Sequence, residues 1–319
     1  MATYLITGAA GFIGSSLARV LLQRGEDLRG LDNFSTGKRE NIADLGRMDF
    51  YEASLSELPA VAEACRGVDF VFHEAAIPSV PKSVLDPASS NRANVEGTLN
   101  LLIAARDAKV KRVVYAGSSS IYGESPTLPK HEGMTPDPIS PYAVSKLAGE
   151  LYMTSFYRVY GLETVTLRYF NVFGPCQDAA SQYSGVLAKF ISSMLRGEQP
   201  TIYGDGEQSR DFTYIDNVVA ANLLACSAPA HQVAGRVMNA ATGNRITLNE
   251  TFEILKQMTG YSGTAHYGPE RKGDIKHSLA DISLAGKLMG YSPITRFEEG
   301  LARTVAWYRT QAARSVAMR

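Results

Sequence analysis

Short apolar runs alternate with segments of helical period through the first half of the chain. Tyr4 to Thr7, Leu28 to Leu31, Met48 to Tyr51, Asp69 to His73, Arg112 to Ala116 and Thr164 to Leu167 read as strands. Ser15 to Arg24, Asn91 to Ala108 and Tyr142 to Tyr160 carry their apolar residues at helical spacing. Alternation of this kind predicts a parallel sheet with helices on both faces. After Pro175 the pattern changes to an amphipathic helix over Gly185 to Arg196 and a short strand at Thr201 to Tyr203. Further on, Thr247-Leu-Asn-Glu250 is a capping box that starts a helix through Met258. Asp216 to Cys226 reads as a capped helix packing back on the sheet, and Val237 to Ala241 as an added strand.

The first run leads directly into Gly8-Ala-Ala-Gly11-Phe-Ile-Gly14 and then a helix. Strand, glycine turn and helix are the order a dinucleotide site requires. Gly8 makes the tight turn, Gly11 lets the backbone approach a pyrophosphate, and Gly14 permits close helix packing. The second run ends on Asp32, eighteen residues beyond Gly14, where a carboxylate accepts from both ribose hydroxyls of NAD and repels the 2′-phosphate of NADP. Lys38 and Arg39 just beyond could pair with such a phosphate, but a solvated loop pair is the simpler reading. A parallel sheet places its ligand at the carboxyl ends of its strands, so Gly8, Asp32, Ala75 and Ser118 should converge on one crevice. Ala75 and Ala76 are small where a cofactor would cross the sheet.

Tyr142 and Lys146 lie four apart, one turn on the same helical face. An ammonium beside a phenol favours the phenolate and lowers its pKa, which makes the tyrosine a base for an alcohol. A hydroxyl from the strand-end run Ser118, Ser119, Ser120 can hold that alcohol in line. Ser118, with Ser120 nearby, is the candidate, and the sequence does not choose among the three serines.

Composition narrows the setting. The 319 residues carry 32 basic and 32 acidic side chains, so no net field attracts nucleic acid or an anionic membrane. Cys65, Cys176 and Cys226 are odd in number and widely spaced, which points to reduced, packed thiols with neither disulfide nor metal spacing. No apolar stretch reaches the ~18 residues of a membrane span, and the first run has no basic region before it, as a signal peptide would. The expectation is a cytoplasmic protein without a metal.

The glycine spacing and the Tyr142/Lys146 pair together resemble the extended short-chain dehydrogenase/reductase superfamily, and within it the nucleotide-sugar 4-epimerases. Ordered segments from Thr3 to about Leu301 carry the resemblance. Among them are Asp32-Asn-Phe-Ser-Thr-Gly-Lys, Phe72-His-Glu-Ala-Ala, Asn94-Val-Glu-Gly-Thr, Ser118-Ser-Ser-Ile-Tyr-Gly123, Arg168-Tyr-Phe-Asn-Val-Phe-Gly-Pro175 and Gly204-Asp-Gly-Glu-Gln-Ser-Arg-Asp-Phe212, followed by Arg271-Lys-Gly-Asp274. The resemblance implies an α/β chain: a Rossmann-type doubly wound parallel sheet with a smaller mixed α/β substrate domain. NAD would bind residues 1–174, with returning segments near 213–242, and a UDP-sugar would bind 175–212 and 243–319. It also implies a homodimer through the helices Asn91 to Ala108 and Tyr142 to Tyr160.

Further cofactor contacts implied by the resemblance are Phe12 and Ile13 in the glycine loop, and Asn33, Ser35 and Gly37 after Asp32. Ser54, Leu55, Asn94, Tyr169 and Val172 complete that set. Many relatives carry Asp where Ser54 stands, so the adenine contact is weaker or made differently. On the substrate side the resemblance assigns Ser79, Val80, Ser119 and Ser120 near the sugar, and Asn171, Gly185, Val186, Thr201, Tyr203 and Phe212 around the nucleotide. Arg210 and Arg271 would hold its pyrophosphate, Asn171 a phosphate and Asp274 its ribose. The implied reaction inverts C4 of a UDP-hexose through a transient 4-keto sugar. Ser120 stands where the related dehydratases and decarboxylases have Glu, which disfavours those reactions. Ser278 stands where hexose-only epimerases have a bulky Tyr, leaving room for a 2-acetamido group, so UDP-GlcNAc and UDP-GalNAc are expected substrates, with UDP-Glc and UDP-Gal possible too. A related nucleotide-sugar reductase and a non-catalytic NAD-binding scaffold share the N-terminal features and are the alternatives.

Overall fold

The computed structural model describes residues 2–178, 185–270 and 276–317. The six strands expected from the apolar runs are β1 (Thr3–Thr7), β2 (Asp27–Asp32), β3 (Met48–Glu52), β4 (Phe70–His73), β5 (Arg112–Ser118) and β6 (Glu163–Tyr169). They form one parallel sheet in the order β3-β2-β1-β4-β5-β6, closed at its far edge by Arg236–Ala240, the added strand. That edge strand runs parallel to β6, with Met238 opposite Leu167. The order reverses between β1 and β4, so the crevice at their carboxyl ends is the natural ligand position of a Rossmann-type sheet. Apolar strand residues such as Leu5, Ile6, Val113 and Val114 are fully buried because helices cover both faces.

Helices α1 (Phe12–Gln23), α2 (Leu58–Cys65), α3 (Val80–Leu85), α4 (Pro87–Asn91), α5 (Gly97–Asp107) and α6 (Pro141–Tyr160) occupy the first half. The start of α6 is set by Ser140, whose hydroxyl accepts from the Ala143 amide at 3.1 Å, with Pro141 pre-shaped for the first turn. Its end is set by Gly161 at φ 72. The helix expected over Asn91 to Ala108 is present, with one widened π turn at Arg92–Glu96 between α4 and α5. Asn94 lies in that turn: its side chain accepts from the Ile77 amide at 2.8 Å and donates to Ser145 Oγ at 2.9 Å, anchoring the turn between the β4 loop and α6.

The second half supplies α7 (Val186–Leu195), the strand Thr201–Tyr203, α8 (Ile215–Ser227) and the helix Leu248–Thr259. The capping box is present at Thr247 and Glu250. The cap expected at Asp216 is not: α8 begins at Ile215 with no side-chain cap, and Asp216 lies in its first turn, paired with Arg303 at 2.9 Å. One apolar core runs from Ile6 and Phe72 on the sheet through Val218 of α8 to Phe190, Leu255 and Leu301. The two halves are thereby packed as one body. Among the described residues no helix is long and apolar enough to cross a membrane, and no cluster of ligand side chains could hold a metal ion.

Candidate active site

The turn after β1 is shaped by its glycines. A Cβ on Gly8, at φ 71, would sit 2.7 Å from the Ala75 amide nitrogen, and one on Gly14 would meet the Gly8 carbonyl at 2.1 Å. Only a bare backbone lets the β4 loop and α1 approach this closely. No side chain caps α1 and no acid lies in its first turn, so its amide donors and positive end face the crevice uncompensated. Asp32 is buried, accepting from the Ala10 amide at 3.0 Å and the Phe34 amide at 2.8 Å. Burial raises its pKa and these backbone bonds pull it back. The cradle and the acid suit a dinucleotide with a free ribose diol. Lys38 and Arg39 are both paired, Lys38 with Asp178 at 3.0 Å and Arg39 with Glu52 at 2.7 Å.

Around this turn the remaining cofactor candidates divide. Phe12 and Ile13 begin α1, Asn33 Oδ1 accepts from the Ser35 amide at 3.1 Å, and Gly37 abuts the Asp32 carboxylate. Leu55 is buried beneath α5, while Ser54 is tied to Ser56 at 2.9 Å. Ala75 and Ala76 follow β4 directly. Asn94 is the buried strut described above, 1 % exposed, and Val172 lines the cavity of the second half.

At the end of β5, Ser118 acts on the Tyr142 phenol, lowering the pKa that burial raises, and its Oγ lies 2.8 Å from Ser120 Oγ. Ser118 also accepts from the Ser120 amide at 3.2 Å, opening the 3-10 turn Ser119–Tyr122. Of the three serines, Ser118 is therefore the one that acts on the tyrosine, and Ser120 touches Ser118. Tyr142 is held from behind, its amide donating to the fully buried Ser83 Oγ at 3.0 Å. Lys146 Nζ donates to the Ala116 carbonyl at 2.9 Å and lies 4.9 Å over the Tyr115 ring. The Tyr142 pKa is raised by burial and drawn back by Ser118. Burial also lowers the Lys146 pKa to about 8, against the attraction of Glu74.

A residue the sequence reading passed over completes the crevice. Glu74 follows β4, accepts from the Tyr169 hydroxyl at 2.9 Å, and is pushed by burial to about 7. Its signal was in plain view: an acid directly after a buried parallel strand. Tyr169 in turn accepts from Asn222 at 2.8 Å.

The second half encloses a cavity of about 230 Å³. Asn171, Gly185, Val186, Thr201, Tyr203, Arg210 and Phe212, all expected on the substrate side, line it. Gln177, Leu187, Gln208 and Leu248 also line it; Gln208 lies inside the Gly204–Phe212 motif and Leu248 inside the capping box, but neither motif by itself assigns them a site role. Asp211 is fully buried and anchors the Arg210–Phe212 segment by accepting from Thr242, Gly243 and Ala280. Asn171 donates to the Asp211 carbonyl at 3.0 Å and lies 3.5 Å from Ser278 Oγ, which puts Ser278 beside the cavity rim. Ser79 caps α3 and Val80 is exposed on it. Arg271 and Asp274 lie outside the described residues.

Comparison with known proteins agrees with this geometry. Residues 4–241 match the model of the NAD dependent epimerase/dehydratase family. A putative UDP-glucose 4-epimerase of Methanocaldococcus jannaschii is 37% identical over 309 residues, covering 96% of this chain and 98% of its own. The structure of a UDP-glucose 4-epimerase with UDP-glucose from Thermotoga maritima superposes with a TM-score of 0.93 at 39% identity, covering 97% of this chain and 99% of that one. A UDP-N-acetylglucosamine 4-epimerase from Methanobrevibacter ruminantium, in complex with UDP-N-acetylmuramic acid, gives 0.92 at 41% identity with the same coverage. With the glycine cradle, the acid that ends β2 and Ser118 acting on Tyr142 at the sheet ends, these matches carry the assignment: the chain belongs to the NAD dependent epimerase/dehydratase family.

Proposed function

We propose that this chain catalyses the NAD-dependent 4-epimerisation of a UDP-hexose, accepting UDP-GlcNAc and UDP-GalNAc and, with them, UDP-Glc and UDP-Gal. In this reading residues 1–174 hold NAD and residues 175–212 and 243–319 hold the UDP-sugar. The observation that carries it is the buried Tyr142 phenol, its pKa raised by burial and drawn back by Ser118 at the carboxyl end of β5, in the same sheet whose β1 leads into the glycine cradle. When bound, NAD supplies the acceptor that takes a hydride from C4 and returns it to the opposite face of the transient 4-keto sugar. Tyr142 takes the 4-hydroxyl proton and gives it back, and Ser118 orients that hydroxyl, with Ser120 holding Ser118. Lys146 keeps two N–H donors beyond the one given to Ala116, enough for a ribose. Arg210 grips the diphosphate, joined by Arg271, while Asp274 takes the ribose.

Ser278 beside Asn171 leaves space for an N-acetyl group, which supports the acetamido sugars. Val144, Leu151 and Val159 stand exposed on α6, an apolar face suited to a second copy of the chain, and the homodimer is part of the proposal. Incubating purified protein with single UDP-sugars, without added cofactor, and separating the products tests it: interconversion of the C4 epimers is expected. No interconversion of any pair overturns the reading.

A further inference from the structure

We propose that Glu74 is a positioning residue for charge: an acidic group seated between Tyr169 and Lys146 at the end of β4 that favours the oxidised, cationic nicotinamide over the reduced, neutral one. This rests on the reading that the crevice holds NAD.

The placement is over-determined. The Glu74 amide donates to the Thr7 carbonyl at 3.1 Å, holding it in register beside β1 at the point where the strand order reverses. Its neighbour Ala75 is the residue that a side chain on Gly8 would strike, so Glu74 adjoins the dinucleotide turn. Glu74 Oε1 accepts from Tyr169, and among the described residues its buried Oε2 has no hydrogen-bond partner. Packing does not ask for a charge here. A glutamine oxygen would accept from Tyr169 equally well, and a carboxylate with one oxygen unserved is costly to bury.

An anion is useful at such a place only to a cation. Lys146 from α6 is the cation that acts on Glu74, while Tyr169 from β6 and Tyr115 from β5 are the other titratable groups facing it. Burial holds Lys146 back, so the pair is incompletely charged and Glu74 titrates near neutrality, at about 7. A cationic ring in the crevice is stabilised by the ionised carboxylate. Passing a hydride to that ring removes its positive charge and with it the stabilisation, so an ionised Glu74 opposes accumulation of the reduced cofactor. In an enzyme that must return every hydride, this bias guards against a trapped, reduced state.

The test is a redox titration of the cofactor bound to the holoenzyme, comparing wild type with Glu74→Gln across about pH 6 to about pH 8.5. At the alkaline end the variant should show an oxidised-to-reduced ratio lower by about tenfold, near 30 mV for a two-electron couple. The gap should close at the acid end, where Glu74 is protonated. Equal potentials at every pH overturn the proposal. Should Glu74→Gln fail to fold, Tyr169→Phe serves: it keeps the acid but removes its donor, so the pH at which the ratio changes should rise. A profile identical to wild type in Tyr169→Phe also overturns it. A wild-type chain that binds no NAD would sink the underlying reading instead.

Discussion

The crevice at the sheet ends and the cavity beyond α7 are built on opposite principles. The crevice is assembled from strand ends and one long helix, and every group in it is held by another. Tyr142 is fixed by Ser83, Lys146 by Ala116, and Glu74 by Tyr169. Beneath it, Arg168 of β6 and Glu150 of α6 form a buried bidentate pair at 2.6 and 2.9 Å, and Arg168 passes on to the Tyr122 hydroxyl at 2.8 Å. The cavity, by contrast, is lined by side chains from short strands, turns and one helix face, with aromatic packing of Phe173, Phe212 and Phe297 behind it. Chemistry needs atoms held to a fraction of an ångström, whereas recognition of a nucleotide and its sugar tolerates, and is altered by, changes of shape. Substitutions should therefore cut turnover in the crevice and shift preference in the cavity.

The largest effect should come from Tyr142→Phe. It should lower kcat by roughly 10³- to 10⁴-fold, while UDP-sugar binding measured by calorimetry stays within a few fold. Equal losses of both would erase the distinction between the regions. Next, Arg168→Met leaves Glu150 buried without its partner, which should cost about 3 to 5 kcal/mol in urea unfolding; a loss under ~1 kcal/mol would show that the pair does not brace the crevice.

A pH effect follows from His73, buried between Thr7 Oγ1 and Thr98 Oγ1, each at 2.8 Å, and held neutral with its pKa depressed to about 3. In the unfolded chain it takes up a proton near its ordinary value of 6.5. The unfolded state then binds more protons, so stability falls as pH drops below about 6.5, reaching about 2 kcal/mol at about pH 5. His73→Gln should flatten that slope whatever its effect on absolute stability. The smallest change belongs to the cavity rim. Ser278→Tyr should reduce kcat/KM for the N-acetylated pair about tenfold more than for the plain hexose pair, in keeping with the limited discrimination of a steric pocket. Equal effects on both pairs would place the sugar away from Ser278.

Local signals sufficed wherever a residue acts through its own backbone stretch. The apolar runs marked all six strands and the edge strand, because burial on both faces demands it of any parallel sheet. The glycine turn, the acid that ends β2 and the Thr247 capping box were legible for the same reason: each is chemistry within a few residues. Tertiary structure decided what depends on groups far apart in the chain. It turned Lys146 toward Ala116, made Asn94 a strut in a widened helical turn, and gave Glu74 a charge problem through Tyr169, ninety-five residues away. It also drew the cavity wall from α7, the 201–203 strand and the start of the helix at Leu248. Periodicity reports which face of an element is buried. The direction of a single ammonium, or the solvation of a single carboxylate, is set by neighbours that no spacing along the chain records.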